Sequence, residues 1–173
     1  MVPVIETERL VLRGMVRDDF PALAAIWREP EVVRFIGGKP RPVSESWAVF
    51  LRIAGSWVIE GFGQWAIIRK ADGAFLGQTG FFTGMRGLGP DFDDAPEAGW
   101  VLTAAVHGQA YGREAVTAAH RWFDAQPFGG RSRAMIEVGH AASFAIAGRF
   151  GYVAFRETED LGDRVVLLAR DVV

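Results

Sequence analysis

The chain has no cysteine. That excludes disulfides, thiolate metal sites and cysteine nucleophiles, and it fits a reducing compartment. Lysine is almost absent too, with only Lys39 and Lys70, so arginine carries nearly all the positive charge. Positive charge is not in excess: 19 basic residues face 21 acidic ones, a formal net charge of -2. Without a basic field, neither nucleic acid nor a membrane surface is an expected partner. No apolar run approaches the roughly 20 residues that span a bilayer. The opening "MVPVIETERLVLR" lacks the basic-then-apolar order of a signal peptide. A cytoplasmic protein is therefore expected, and no metal site is expected. Two phosphate-binding signatures are also missing. There is no G-x-x-x-x-G-K-[ST], and residues 108–113 do not supply G-x-G-x-x-G, so a P-loop and a nicotinamide-binding oxidoreductase are both disfavoured.

What is present reads as one globular domain over 1–173. Half of the residues are apolar, enough for a sizeable core in 173 residues. "ERLVLR" (8–13) alternates as a strand does. "RDDFPALAAIWRE" (17–29) reads as a helix, with Asp18 or Asp19 as its cap and Pro21 in the first turn. Over 44–61, Trp47, Phe50, Leu51, Ala54, Trp57 and Val58 recur at helical spacing, with Ser44 as N-cap and Gly61 as the stop. "GQWAIIRK" and "AFLGQTGFF" form a hairpin around "ADG". A Gly/Pro/Asp loop (84–96) follows, then a strand at 97–103, a helix over 108–126 and a strand at 132–138. A short helix (141–150) and two strands close the chain. Three consecutive strands rule out a doubly wound sheet. The order predicts an α+β (mixed α/β) fold: a mostly antiparallel sheet of six to seven strands with about four helices on its faces.

The stretch "HGQAYGREA" (107–115) is the main chemical signal. It spaces small residues at Gly108, Ala110 and Gly112, then turns helical. The first turn of a helix presents unpaired N–H groups at the positive end of its dipole. Small residues there let a phosphate reach the backbone. The plain alternative is a strand-to-helix turn and nothing more.

Further pieces lie in one order along the chain: "TERLVLR" (7–13), "LGQTG" (76–80), "EAGWVL" (97–102), "HGQAYGREA" (107–115), and "HAAS" (140–143) leading to "FGY" (150–152). Together they resemble the GCN5-related N-acetyltransferase (GNAT) superfamily, within it the branch of ribosomal-protein N-terminal acetyltransferases. The resemblance implies a splayed sheet and acetyl-coenzyme A as cosubstrate, with the pyrophosphate on the backbone of Gly108, Gln109, Ala110, Tyr111, Gly112 and Arg113. His107, which flanks that loop, is counted with the cofactor-binding residues. Trp100, Val101 and Leu102 would pair with the pantetheine arm, and Ser143 takes the position near the thioester sulfur. His140 stands where asparagine is usual, as a cofactor ligand or base. Ala110 stands where glycine is usual; its methyl group disfavours a positive φ. His107 replaces a tryptophan and Gly112 an alanine. The tyrosine acid found in another family pattern is absent, since Ala147 holds that place.

The implied reaction is transfer of an acetyl group to a primary amine of a protein N-terminus or small molecule. Three candidates for catalytic roles follow: Glu97 as base, Ser143 as hydrogen-bond donor to the leaving thiolate, and His140 as a titratable group near neutrality. Each has a plainer reading, as a solvated strand end, a helix-start serine and a hydrogen-bonded histidine. Glu137 is a second candidate base. His120, in the middle of a helix, is expected at the surface. Trp47, Trp57, Trp65, Phe81, Phe82 and Trp100 belong either to the core or to an acceptor pocket. The acidic run at 91–97 either attracts a cationic amine or is simply solvated. A catalytically silent binding or sensor protein with the same fold is the alternative function, and a homodimer is plausible by analogy.

Overall fold

The structure is a computed structural model that describes residues 1–172. One sheet takes strands from both ends of the chain: β1 (Ile5–Glu6), β2 (Leu10–Arg13), β3 (Gln64–Arg69), β4 (Phe75–Phe82), β5 (Glu97–Leu102), β6 (Arg131–Glu137), β7 (Val153–Asp160) and β8 (Asp163–Asp171). Their spatial order is β1-β2-β3-β4-β5-β6-β8-β7. Every neighbouring pair is antiparallel except β5 and β6. The mostly antiparallel α+β expectation holds, with eight strands rather than six or seven. The extra strand is the two-residue β1, too short to leave a periodic signal.

Six α-helices are present: α1 (Phe20–Ile26), α2 (Pro30–Val33), α3 (Val43–Ile59), α4 (Pro90–Asp93), α5 (Tyr111–Asp124) and α6 (Ala141–Arg149). The two not expected, α2 and α4, span four residues each, and each starts at a proline. Alternation along the strands supplies both helix layers. Leu10, Leu12, Trp65, Ile67, Leu76 and Leu102 join Ala115, Ala119 and Phe123 of α5 in the larger core. Phe75 and Val101 pack instead with Leu23, Val33, Phe50 and Ile53 of the first three helices and with Trp27, which follows α1. Trp65 and Phe81 are fully buried, and Phe81 stacks on Phe123 at 3.8 Å. Trp57 and Trp47 also pack against the two cores, so these four aromatics are core.

Some capping expectations shift. Asp19 precedes α1, but its carboxylate does not cap it; it takes a bidentate pair of hydrogen bonds from Arg13 and one from the Val16 N–H. Helix α3 starts at Val43 after Pro42, so Ser44 lies inside the first turn. Gly61 ends the helix as expected, with φ of 75°. His120 is not at the surface. It is 3% exposed, bonded to the Val116 carbonyl oxygen at 2.9 Å and to the Tyr152 hydroxyl at 3.0 Å, and stacked on Phe150. The helical period around it placed a polar residue on the sheet-facing side, where a buried hydroxyl meets it.

Candidate active site

The sheet opens between β5 and β6. Only Glu97 and Arg133 pair across these two strands, supported by the Arg133 N–H bond to the Pro96 carbonyl oxygen at 2.8 Å. Beyond that point β5 is paired on its β4 side alone, from Ala98 to Leu102. The edge carrying Gly99, Trp100, Val101 and Leu102 is therefore free to receive an extended ligand, as an exposed strand edge does.

Following β5, the chain makes a 3-10 turn at Ala104–Val106 and enters the glycine loop. Gly108 has φ of 75° and Ala110 has φ of 64°. The second value is the left-handed conformation that a Cβ disfavours, at a cost of roughly 1–2 kcal/mol. The conformation has a use: it turns the chain so that α5 begins at Tyr111 with its first N–H groups facing outward. Among the described residues, the N–H groups of Gly108, Ala110, Tyr111, Gly112 and Arg113 find no protein acceptor, whereas that of Gln109 bonds weakly to the Val106 carbonyl oxygen at 3.3 Å. Five backbone donors without a protein acceptor among the described residues thus lie at or just before the N-terminus of a 14-residue helix, a place suited to an anion. A side chain at Gly108 would meet nothing within 4 Å, so the space in front of the loop is open. At Gly112 a Cβ would make ordinary contacts with Ile146 and Leu102 at 3.7 Å. His107 stays at the rim, its Nε2 3.0 Å from the Leu102 carbonyl oxygen.

The N-terminal motif holds this loop. Glu114 of α5 accepts from the Thr7 hydroxyl at 2.6 Å, from the Arg9 N–H at 2.9 Å and from Arg9 Nε at 2.7 Å. Arg9 also donates to the Gln109 carbonyl oxygen at 3.1 Å and lies over the Tyr111 ring at 4.2 Å. From the other side, Glu29 accepts from the Thr103 hydroxyl and the Ala104 N–H at 2.8 and 2.7 Å. Burial alone would raise the Glu114 carboxyl pKa, but its hydrogen bonds from Thr7 and Arg9 outweigh this and hold it below the usual range.

A cavity of about 630 Å³ runs along the free edge of β5, the loop and the start of α6. A second cavity, of about 620 Å³, lies on the other side of the opening. Both are in the size range of small-ligand sites. Phe35, Ile36, Trp100, Val101, His140 and Ser143 line both, so the two cavities meet there. Ser143 is 8% exposed on the first turn of α6. Its Oγ accepts from Trp100 Nε1 at 3.2 Å and lies 3.4 Å from His140 Nε2. Those partners are side chains rather than backbone. His140 stacks on Phe35 with centroids 4.6 Å apart, and burial, then the charge of His107, lowers its pKa.

The second cavity is the polar one. Glu97 lies in it, 5% exposed, with both carboxylate oxygens accepting from Arg86 at 2.6 and 2.8 Å. Burial pushes its pKa up and Arg86 opposes this, with a net rise. Glu137 also lines the cavity; burial and then the charge of Asp163 raise its pKa. Phe82 and Trp100 line it as well, unlike the four core aromatics. The acidic run behaves differently from either expectation. Asp91 pairs with Arg156, Asp94 with Arg131 and Arg133, and Asp93 accepts from the N–H groups of Arg86 and Gly89. These carboxylates staple the loop to the sheet.

Sequence reasoning missed Phe35 and Ile36, and the cationic residues Lys39, Arg41, Arg52 and Arg86 of the second cavity. "FIGGKPRP" (35–42) did carry a signal, a Gly/Pro-rich loop with two basic residues between helices. Among the described residues no group of three or more His, Asp or Glu could hold a metal ion, and no helix is long and apolar enough to cross a membrane.

Comparison with known proteins agrees with this architecture. A GNAT-family acetyltransferase from Bordetella pertussis superposes with a TM-score of 0.87 at 27% identity, covering 97% of this chain and 99% of that one. An acetyltransferase from Agrobacterium tumefaciens gives 0.80 at 28% identity, over 96% and 94%. RimL, a ribosomal L7/L12 α-N-protein acetyltransferase solved in complex with coenzyme A, gives 0.73 at 17% identity over 98% of each chain, a likeness of fold. Residues 9–153 match the acetyltransferase (GNAT) domain family, and the chain belongs to that family.

Proposed function

We propose that this protein is an acetyl-coenzyme A-dependent N-acetyltransferase that acetylates a primary amine by direct attack. The observation that carries the proposal is the meeting of two cavities at Trp100, Val101, His140 and Ser143, beside a free strand edge and the loop's five backbone donors. The residues present fit coenzyme A. The loop from Gly108 to Arg113 offers neutral donors to a pyrophosphate, and the free edge of β5 offers main-chain pairing to the pantetheine amides. When bound, the cofactor supplies an activated acetyl thioester.

This chain's residues divide three tasks. Glu97, held in place by Arg86, takes the proton from the acceptor ammonium through a water, using the lone pairs that Arg86 leaves free. Glu137 is the other base in the same cavity. Backbone N–H groups on the free edge at 100–102 stabilise charge developing on the carbonyl oxygen. Ser143, whose oxygen accepts from Trp100 and lies 3.4 Å from His140 Nε2, redirects its own proton from that nitrogen toward the departing sulfur.

Thiol release with a panel of primary amines tests this reading. Turnover that is saturable in both substrates is expected. Tight coenzyme A binding without turnover on any amine would favour the silent binding protein, and absence of both would reject the assignment.

A further inference from the structure

The second cavity contains more charge than acetyl transfer needs. Arg86 is committed to Glu97 and Asp160. Arg41 and Arg52 are not: among the described residues neither forms an ion pair or donates a side-chain hydrogen bond. Both are held by aromatic faces instead. The Arg41 guanidinium lies 3.7 Å from the centroid of Trp27, and that of Arg52 lies 5.1 Å from Phe82. Arg41 is half-buried and is anchored through its backbone N–H to the Trp27 carbonyl oxygen at 2.9 Å. Arg52 is exposed on α3 where that helix borders the cavity.

The charge of Arg52 reaches Arg41, and both side chains line the one cavity. Burial first, then the charge of Arg52, lowers the pKa of Arg41, with Glu45 opposing from beyond ion-pair distance. That of Arg52 is lowered by desolvation and by the charge of Arg86, with Glu97 opposing. Two like charges lining one cavity, with no carboxylate in ion-pair contact among the described residues, are unfavourable in the free protein. A planar anion reverses that, because an aromatic ring takes none of the N–H donors of either guanidinium. The cavity also has carboxylates from other elements that form no ion pair among the described residues, Glu137 at the end of β6 and Asp163 at the start of β8. An anion-receiving side and a cation-receiving side in about 620 Å³ match a small zwitterion.

Resting on the acetyltransferase reading above, we propose that the acceptor is a small amine that also carries a carboxylate, in its simplest form an amino acid, and that Arg41 and Arg52 bind that carboxylate. The two arginines are binding residues that orient the amine toward the opening between β5 and β6.

The test is calorimetric titration of the coenzyme A-loaded protein with N-acetyl amino acids, the products of such a reaction, against the matching N-acetyl amino acid amides. An acid-over-amide preference of tenfold or more is expected for at least one side chain. It should fall to about twofold or less in Arg41→Gln and Arg52→Gln, with coenzyme A affinity unchanged. Equal binding of acid and amide, a preference that survives both substitutions, or no binding of either while coenzyme A still binds, overturns the proposal and leaves the acetyltransferase reading intact. The same titration without coenzyme A keeps the arginine readout independent of the cofactor site, so failure of cofactor binding is read separately.

Discussion

The Thr7 hydroxyl donates to Glu114 at 2.6 Å across 107 residues of sequence. That bond explains why an N-terminal "TER" accompanies "GREA" in the glycine loop: Thr7 and Arg9 fix the carboxylate that fixes the first turn of α5. Replacing Glu114 with Gln should lose the charge-assisted bonds to Arg9 while keeping the shape. A destabilisation on the order of 1–2 kcal/mol is expected for this part-exposed pair, with weaker coenzyme A binding. The sign with pH follows from a lowered carboxyl pKa. The stabilisation is present above the usual value of 4.5 and disappears as pH falls through the folded value. Thermal melts of both proteins across that range measure it; equal acid sensitivity would contradict it.

Ala110 has a φ of 64°. Replacing it with Gly removes the Cβ that strains the loop. The relief is about 1 kcal/mol, a rise in Tm of roughly 2–4 °C for a domain of this size. The loop conformation, and with it cofactor affinity, should be kept. Ala110→Val should move Tm the opposite way by more. A lower Tm for Ala110→Gly would mean that the left-handed conformation does not strain the native loop.

His120 gives a second pH signature. Burial lowers its pKa from 6.5 to about 4, with the Val116 carbonyl oxygen opposing. Between those values the unfolded chain takes up a proton that the folded one refuses. Stability therefore falls as pH drops from 6.5 to about 4, and this loss is complete below that. The shift sets an upper scale of about 3 kcal/mol. Denaturant titrations should show a shallower acid slope in His120→Gln than in the parent, even if the variant is less stable at neutral pH through loss of the bond to Tyr152.

Glu97 and Glu137 are distinguished by their pH–rate profiles. Both carboxyl groups have raised pKa values, so a profile governed by either falls on the acid side from above pH 4.5. Glu97→Gln should lower kcat by about 10²–10⁴-fold, the usual scale for a general base, and abolish that acid limb. Glu137→Gln should leave the limb in place. The reverse result moves the role to Glu137.

Much of this was legible in the sequence because it is local. The period of "ERLVLR", the ADG hairpin and the small residues of 107–115 each report on their own neighbourhood. The collinear order of the pieces then identified the sheet and its opening. What was not legible depends on distant partners. His120 reads as a surface residue until Tyr152, 32 residues on, is folded against it. The acidic run at 91–97 reads as a free charge patch until Arg131, Arg133 and Arg156 arrive from β6 and β7 to occupy it. Arg41 and Arg52 carry no motif, and only the folded chain brings them to one cavity between α3 and the splayed strands.

The central claim is that the loop from Gly108 to Arg113 is a cofactor cradle. Calorimetric titration with acetyl-coenzyme A, run on the parent and on Gly108→Trp, tests it most directly. The open space before Gly108 lets the variant fold even with strain at its positive φ, and circular dichroism verifies that it does. One-to-one micromolar binding in the parent, weakened at least a hundredfold in the folded variant, is the predicted result. Equal binding in both, or none in the parent at millimolar cofactor, would contradict the account.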